Sequence, residues 1–218
     1  MKKIIMMMTI LLVSSFLFVA GSEGNTEGSA DKKSDESIPE DVVKDSEADP
    51  IELEDQMGLE MDETGYVITQ SEKLPLAITL NSVEKSQDVG AESLDGDRFY
   101  LIAEFTFKNM GDSHISVDRP DVVPSSDESA VVNDELNNKG DLLGLGTWYL
   151  DENGEISEDN RTNTLSLEPG EEVNHKVGLA MRGSADEYII FYGLYVNNNR
   201  DYQNKVGWTI DAEAIEEK

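Results

Sequence analysis

The chain has 218 residues, of which 46 are Asp or Glu and 17 are Lys or Arg, for a formal charge of −29. Such a charge repels phosphate backbones and anionic membrane surfaces, which argues against nucleic acid as a partner. With no cysteine in the sequence, disulfides, thiolate metal sites and thiol nucleophiles are excluded together, and stability has to come from burial.

Met1-Lys2-Lys3 and the 17 mostly apolar residues from Ile4 to Ala20 read as an export signal, residues 1–21. The run is at the short end of the roughly 17 to 25 residues that cross a bilayer. Contact with a membrane is therefore expected only through this segment, if it stays uncleaved. It closes on Val19-Ala20-Gly21-Ser22, a lipoprotein box with serine in place of the lipid-accepting cysteine. A serine hydroxyl is a much poorer nucleophile than a thiolate, so processing at Gly21 or Ser22 is expected without lipidation. The protein is expected to be secreted or held at the cell envelope outside the cytoplasm. Residues 22–65 carry 16 acids and three lysines, a net −13. Low hydrophobicity with that charge predicts a disordered acidic linker.

From Tyr66 the pattern is β-like, giving one expected domain over 66–218. Residues 74–86 and 98–109 are strand candidates around a turn-rich loop. In the second, Phe99, Leu101, Ala103, Phe105 and Phe107 fall on one face at period two, as in a half-buried antiparallel strand. A short strand ends at Pro120, and residues 119–144 predict a long loop of the kind that is usually functional or mobile. Asn153-Gly154 predicts a tight hairpin. Pro169-Gly170 predicts another turn, followed by a strand with Val173, Val177, Leu179 and Met181 on one face. Residues 187–196 form the most apolar strand, and "KVGWTID" closes the sheet. Many short strands without a long helical pattern predict an all-β sandwich.

The succession "FYLIAEFTFKN", "MGDSHISV", "WYLDENGE", "LSLEPGEEVNHKVGLAM" and "EYIIFYGLYV" resembles the uncharacterised immunoglobulin-like domain of many Gram-positive lipoproteins and secreted proteins. That domain is grouped with the fold of the mycobacterial secreted immunoprotective antigen. The resemblance covers about residues 74–210 and implies an immunoglobulin-like antiparallel β-sandwich behind a signal and an acidic linker. Its motifs are a strand ending in Lys-Asn before a Gly turn, an Asp-x-x-Gly hairpin and a Pro-Gly-Glu turn. They imply a fold and no activity, since a sandwich hosts many functions.

Candidate chemistry is sparse. In "DENGEISED" (151–159), Asp151, Asn153 and Gly154 fit a calcium loop, but Tyr149 and Asn160 stand where the first aspartate and the bidentate glutamate belong. No cofactor is expected beyond weak calcium binding by the carboxylate-rich surface. Two histidines, His114 and His175, come without a nucleophile elbow, and no acid pair is singled out for glycoside hydrolysis. Trp148, Tyr149, Tyr192 and Trp208 are candidate ligand-surface residues, because exposed aromatics stack on sugars or anchor protein partners. The expected function is a non-enzymatic binding module of the bacterial envelope, with an envelope protein or wall glycan as partner. A wall-active hydrolase using a carboxylate pair, or a weak divalent-cation-binding surface protein, is the alternative.

Overall fold

The computed structural model describes residues 37–125, 146–156, 164–193, 195–196, 199–200 and 202–217. The chain runs through β1 (Val43–Asp45), β2 (Glu52–Leu53), β3 (Gln56–Leu59), β4 (Thr64–Ile68) and β5 (Pro75–Ser86). A small hairpin, β6 (Asp88–Val89) and β7 (Glu92–Ser93), precedes β8 (Arg98–Asn109), β9 (Ile115–Val117) and β10 (Asp121–Pro124). There follow β11 (Gly146–Tyr149), β12 (Leu165–Leu167), β13 (Glu172–Arg182), β14 (Glu187–Tyr192), β15 (Tyr195–Val196), β16 (Asn199–Arg200), β17 (Val206–Asp211) and β18 (Glu216–Glu217).

Two sheets carry the fold, an all-β and predominantly antiparallel sandwich. One has the order β11-β13-β8-β5-β18 with β4 also on β5, and the other β10-β14-β17-β3. Among the described strands only β3 on β17 and β18 on β5 are parallel. The alternation in β8 is realised as its pattern predicts: Phe99, Leu101, Ala103, Phe105 and Phe107 are all buried, facing the second sheet. Phe105 meets both Tyr192 and Trp208 at ring-centroid distances of 5.8 Å, edge to face. Such aromatic pairs add about 0.5 to 1.5 kcal/mol each beyond their buried area.

In β5 the core face reads Leu76, Ile78, Leu80 and then Val83, a spacing that breaks period two. A bulge between Leu80 and Ser82 absorbs the extra residue and returns Val83 to the core. Asn81, at the bulge, donates to Thr106 Oγ1 at 2.9 Å. The outer edge of β5 is covered over Pro75–Thr79 by β4 and at Glu84–Lys85 by β18, which removes a long unpaired edge from the surface.

The acidic linker expected over 22–65 is corrected from Ser37 onward; residues 22–36 lie outside the described residues. Gln56–Leu59 pairs with β17, and Thr64–Ile68 pairs with β5. This acidic stretch is held by burial of Leu53, Val67 and Ile68, by Met57, Leu59 and Met61 packed against the core, and by specific hydrogen bonds. Gln56 Nε2 donates to Tyr66 O at 2.8 Å while its Oε1 accepts from Tyr66 N at 3.0 Å. Asn204, buried, donates to Tyr66 O at 2.8 Å and Glu54 O at 3.2 Å and accepts from Ile68 N at 3.0 Å. Lys205 N donates to Asp55 Oδ1 at 2.8 Å. Only Leu53, Gly65, Val67 and Ile68 need burial in 43–68, so the acids stay at the surface. Gly65 is required by close approach, since a Cβ there would overlap the Val206 side chain.

Most of the loop predicted over 119–144 lies outside the described residues, but its start is a strand: Asp121–Pro124 pairs with β14. The Asn153-Gly154 hairpin is a three-residue turn, closed by Asp151 N donating to Glu155 O at 2.9 Å, with Gly154 alone at positive φ (76°). At Pro169-Gly170 the turn forms with Glu171 N donating to Glu168 O at 3.0 Å. It is a corner and no hairpin, because β12 pairs with β9 while β13 pairs with β8 and β11. Among the described residues no helix is long and apolar enough to cross a membrane.

A chain beginning at residue 66 is expected to be markedly less stable than one beginning at 37, and Asn204→Ala to cost about 1 to 3 kcal/mol by taking the side-chain acceptor from Ile68 N and one of two side-chain donors from each of Tyr66 O and Glu54 O. Urea unfolding of the three proteins measures this; equal midpoints would mean the segment is ornamental.

Candidate functional site

The hydrogen-bond ladder fixes which chain ends meet. β5 ends and β8 begins beside one another, and Arg98 lies opposite Arg182, the last residue of β13. Glu217 of β18 lies opposite Lys85 of β5. Gly183 N donates to Asp97 O at 3.0 Å, and Ala212 N to Asp186 O at 2.9 Å. Ser125, at the end of β10, donates to Glu187 Oε2 at 3.1 Å. One end of the sandwich therefore gathers the β5–β8 connection, the β13–β14 corner, the end of β10 and the C-terminal strand.

At that end lies a cleft of about 450 Å³ whose lining includes Lys85, Asp97, Arg98, Phe99, Ser184 and Glu217. The volume falls within the roughly 300 to 1,000 Å³ typical of small-ligand sites. Lys85 Nζ stands 4.9 Å above the centre of the Phe99 ring and 3.3 Å from Glu217 Oε1. Arg98 Nε donates to Asp95 O at 3.1 Å, which orients its guanidinium. Among the described residues, Lys44, Lys85, Lys108, Lys176 and Lys205 each have a carboxylate partner, whereas Arg98, like Lys73 and Arg182, has none. Composition could not reveal this cleft, because its residues come from four separate stretches of chain.

The aromatic candidates divide. Tyr149 is 3 %, Tyr192 1 % and Trp208 0 % exposed, so all three are core residues, a correction to their reading as ligand surface. The cause is the inward phase of their strands. Trp208 Nε1 donates to Glu63 O at 2.9 Å, and Tyr149 Oη to Asp118 O at 2.9 Å. Burial is the main cause that holds the Tyr149 and Tyr192 hydroxyls protonated well beyond the usual phenol range. Trp148, on the opposite phase, is half-buried on the outer face and meets Tyr100 edge to face at 6.4 Å. Gly21 and Ser22 lie outside the described residues.

The three sequence motifs serve turns. Asn109, fully buried, donates to Ser113 O at 2.9 Å and Leu167 O at 3.1 Å and accepts from Gly111 N at 2.9 Å. Asp151 Oδ1 accepts from Asn153 N and Glu155 N, both at 2.9 Å, and these backbone donors contribute to lowering its pKa. That use of the carboxylate stabilises the turn. Glu171 Oε2 accepts from Glu168 N at 2.7 Å across the Pro-Gly turn. Among the described residues no group of three or more His, Asp or Glu side chains could hold a metal ion. His175 packs on Tyr149 with ring centroids 5.1 Å apart, and burial lowers its pKa from 6.5.

No family model matches the chain, and no curated protein matches it. Among solved structures, the chain is similar to an uncharacterised β-sandwich protein from Clostridium difficile 630. The two share 14 % identity over 72 % of this chain and 96 % of the other, with a TM-score of 0.31.

Two outcomes check the burial pattern. Acrylamide should quench Trp208 weakly in a Trp148→Phe variant, and quenching like that of free indole would contradict its 0 % exposure. Because burial depresses the His175 pKa, the unfolded chain takes up its proton first, and stability should fall as pH drops below 6.5. His175→Gln should flatten that slope in pH-dependent urea unfolding; an unchanged slope would assign it elsewhere.

Proposed function

We propose that the chain is an extracytoplasmic, non-enzymatic binding module of the bacterial cell envelope, with the cleft-bearing end of the sandwich as its working surface. The expected partner is an envelope protein or a wall glycan. The observation that carries the reading is the cleft of about 450 Å³ at the meeting point of several connections. Connections held on a rigid frame are where recognition usually resides. The N-terminal signal, with Gly21 and Ser22 as the processing position, supports the outside location.

The strand path supports the immunoglobulin-like assignment. In chain order, β5, β8, β10, β11, β13, β14 and β17 take the places A to G, with A-B-E-D on one sheet and C-F-G on the other. Tyr188, near the start of β14, accepts a hydrogen bond from Ala185 N at 3.1 Å. A tyrosine bonded back to the backbone at the E–F corner is a hallmark of that fold. The grouping with Gram-positive lipoprotein domains rests on the same order and on the Asn109, Asp151 and Glu171 turns.

The carboxylate-pair hydrolase is less well supported. The observation against it is geometric: Glu217, one of two cleft carboxylates, has an 80 % exposed side chain engaged by Lys85 at 3.3 Å.

Sedimentation of residues 22–218 with isolated Gram-positive envelopes, in about 0.15 M salt to screen non-specific charge, tests the reading. Saturable retention is expected, reduced at least about tenfold by the Lys85→Glu, Arg98→Glu double variant. Retention that is absent, or indifferent to the double variant, would overturn it.

A further inference from the structure

The sequence offers every basic side chain nearly three acids, yet the cleft leaves Arg98 without one. The counts are 46 acidic and 17 basic residues, and Arg98 has no ion pair among the described residues. Its plane is fixed by the bond from Nε to Asp95 O at 3.1 Å, leaving the terminal nitrogens of the fork available. Its partner across the ladder is Arg182, another cation. Like charges set directly opposite in an antiparallel pair are destabilising unless something answers them.

The geometry points to a ligand that ends in a carboxylate of amino-acid or peptide type, with Arg98 receiving the carboxylate. This rests on the binding-module reading above. Three observations narrow the class. A guanidinium fork matches a planar carboxylate two nitrogens to two oxygens, a geometry a lysine cannot supply. Repulsion from a chain of −29 grows with the ligand's charge, which favours a monoanion over a phosphate dianion. Asp97, in the same lining, accepts hydrogen bonds only, and so suits the N–H that stands next to the carboxylate in an amino acid or peptide end. Lys85, in the same lining, is committed to Glu217 and to the Phe99 face, which leaves Arg98 as the cation open to a ligand. The same chemistry is carried by a free amino-acid derivative and by the C-terminus of a peptide.

Isothermal titration of residues 22–218 with N-acetylalanine, with acetyl-trialanine bearing a free carboxylate, with its C-terminal amide and with inorganic phosphate tests the assignment. A dissociation constant on the order of 1 mM or tighter is expected for at least one free carboxylate. The amide should bind at least about tenfold more weakly, as should phosphate. Tighter binding of acetyl-trialanine than of N-acetylalanine identifies a peptide end; the reverse identifies a small acid. Arg98→Gln should lose at least about tenfold and Arg98→Lys nearly as much, while Lys176→Gln, outside the cleft, should bind as the parent does. Thermal melting of each variant separates loss of binding from loss of fold, and chemical-shift changes at Gly96 and Gly183 read the site directly should Arg98→Gln melt early. Failure of all carboxylates to bind, equal binding of the amide or phosphate, or indifference to Arg98→Gln would overturn the assignment. Envelope retention that persists through such a failure would leave the binding-module reading standing and remove only this ligand.

Discussion

The ring of Phe105, at the centre of the sandwich, is the contact on which the rest of the structure depends. It meets Phe107, Tyr192 and Trp208 at 5.6, 5.8 and 5.8 Å, joining neighbouring positions of β8 to two strands of the opposite sheet. Because β8 is paired along its length with β5 on one side and β13 on the other, the placement of Phe105 sets the register of three long strands. A slip by one residue would turn Phe105 outward and Thr106 inward, so the aromatic core and the register enforce each other. The positions of Lys85, Arg98 and Arg182 at one end of the sheet follow from that register.

A chain so acidic folds because its acids are asked to do little in the interior. Among the described residues the buried polar side chains are Thr69, Asn109, Asn204 and Lys205, three of them neutral and hydrogen-bonding by type. Asn109 and Asn204 each satisfy three backbone groups, a job that pays only when every member is met. Ion pairs such as Lys44–Glu52, at 3.9 Å with both side chains more than half exposed, contribute at most about 1 kcal/mol each. Turn geometry in this protein is thus set by amides and by single carboxylates accepting backbone N–H groups.

The legible parts of the fold are those where hydropathy alternates. β8 occupies the residues its pattern marks, and the inward faces of β13 and β14 follow the same logic. The bulge in β5 is visible only as a spacing of three between Leu80 and Val83, and a spacing alone does not say which residue is extruded. The ordered stretch from 37 to 65 escapes a composition-based reading because its few apolar anchors, Leu53, Met57, Leu59 and Met61, are scattered among acids, and the rest of its attachment runs through Gln56, Asn204 and backbone groups. Aromatic residues are ambiguous for a related reason. Period two states that Trp148 and Tyr149 face opposite ways, and only the packed sheets decide which way is in.

The sequence by itself determined the lack of any cysteine and the β-sandwich class, which depend on residue type and local period. Tertiary structure decided that residues 37–65 belong to the folded sandwich, that Tyr149, Tyr192 and Trp208 are interior, and that Arg98 stands in a cleft beside Lys85 and Asp97. These depend on residues far apart in sequence. Arg98 and Arg182 are 84 positions apart and become neighbours only through the β8–β13 ladder, and Lys85 and Glu217 meet across 132. No local pattern encodes such meetings, because they are set by which strand faces find burial together.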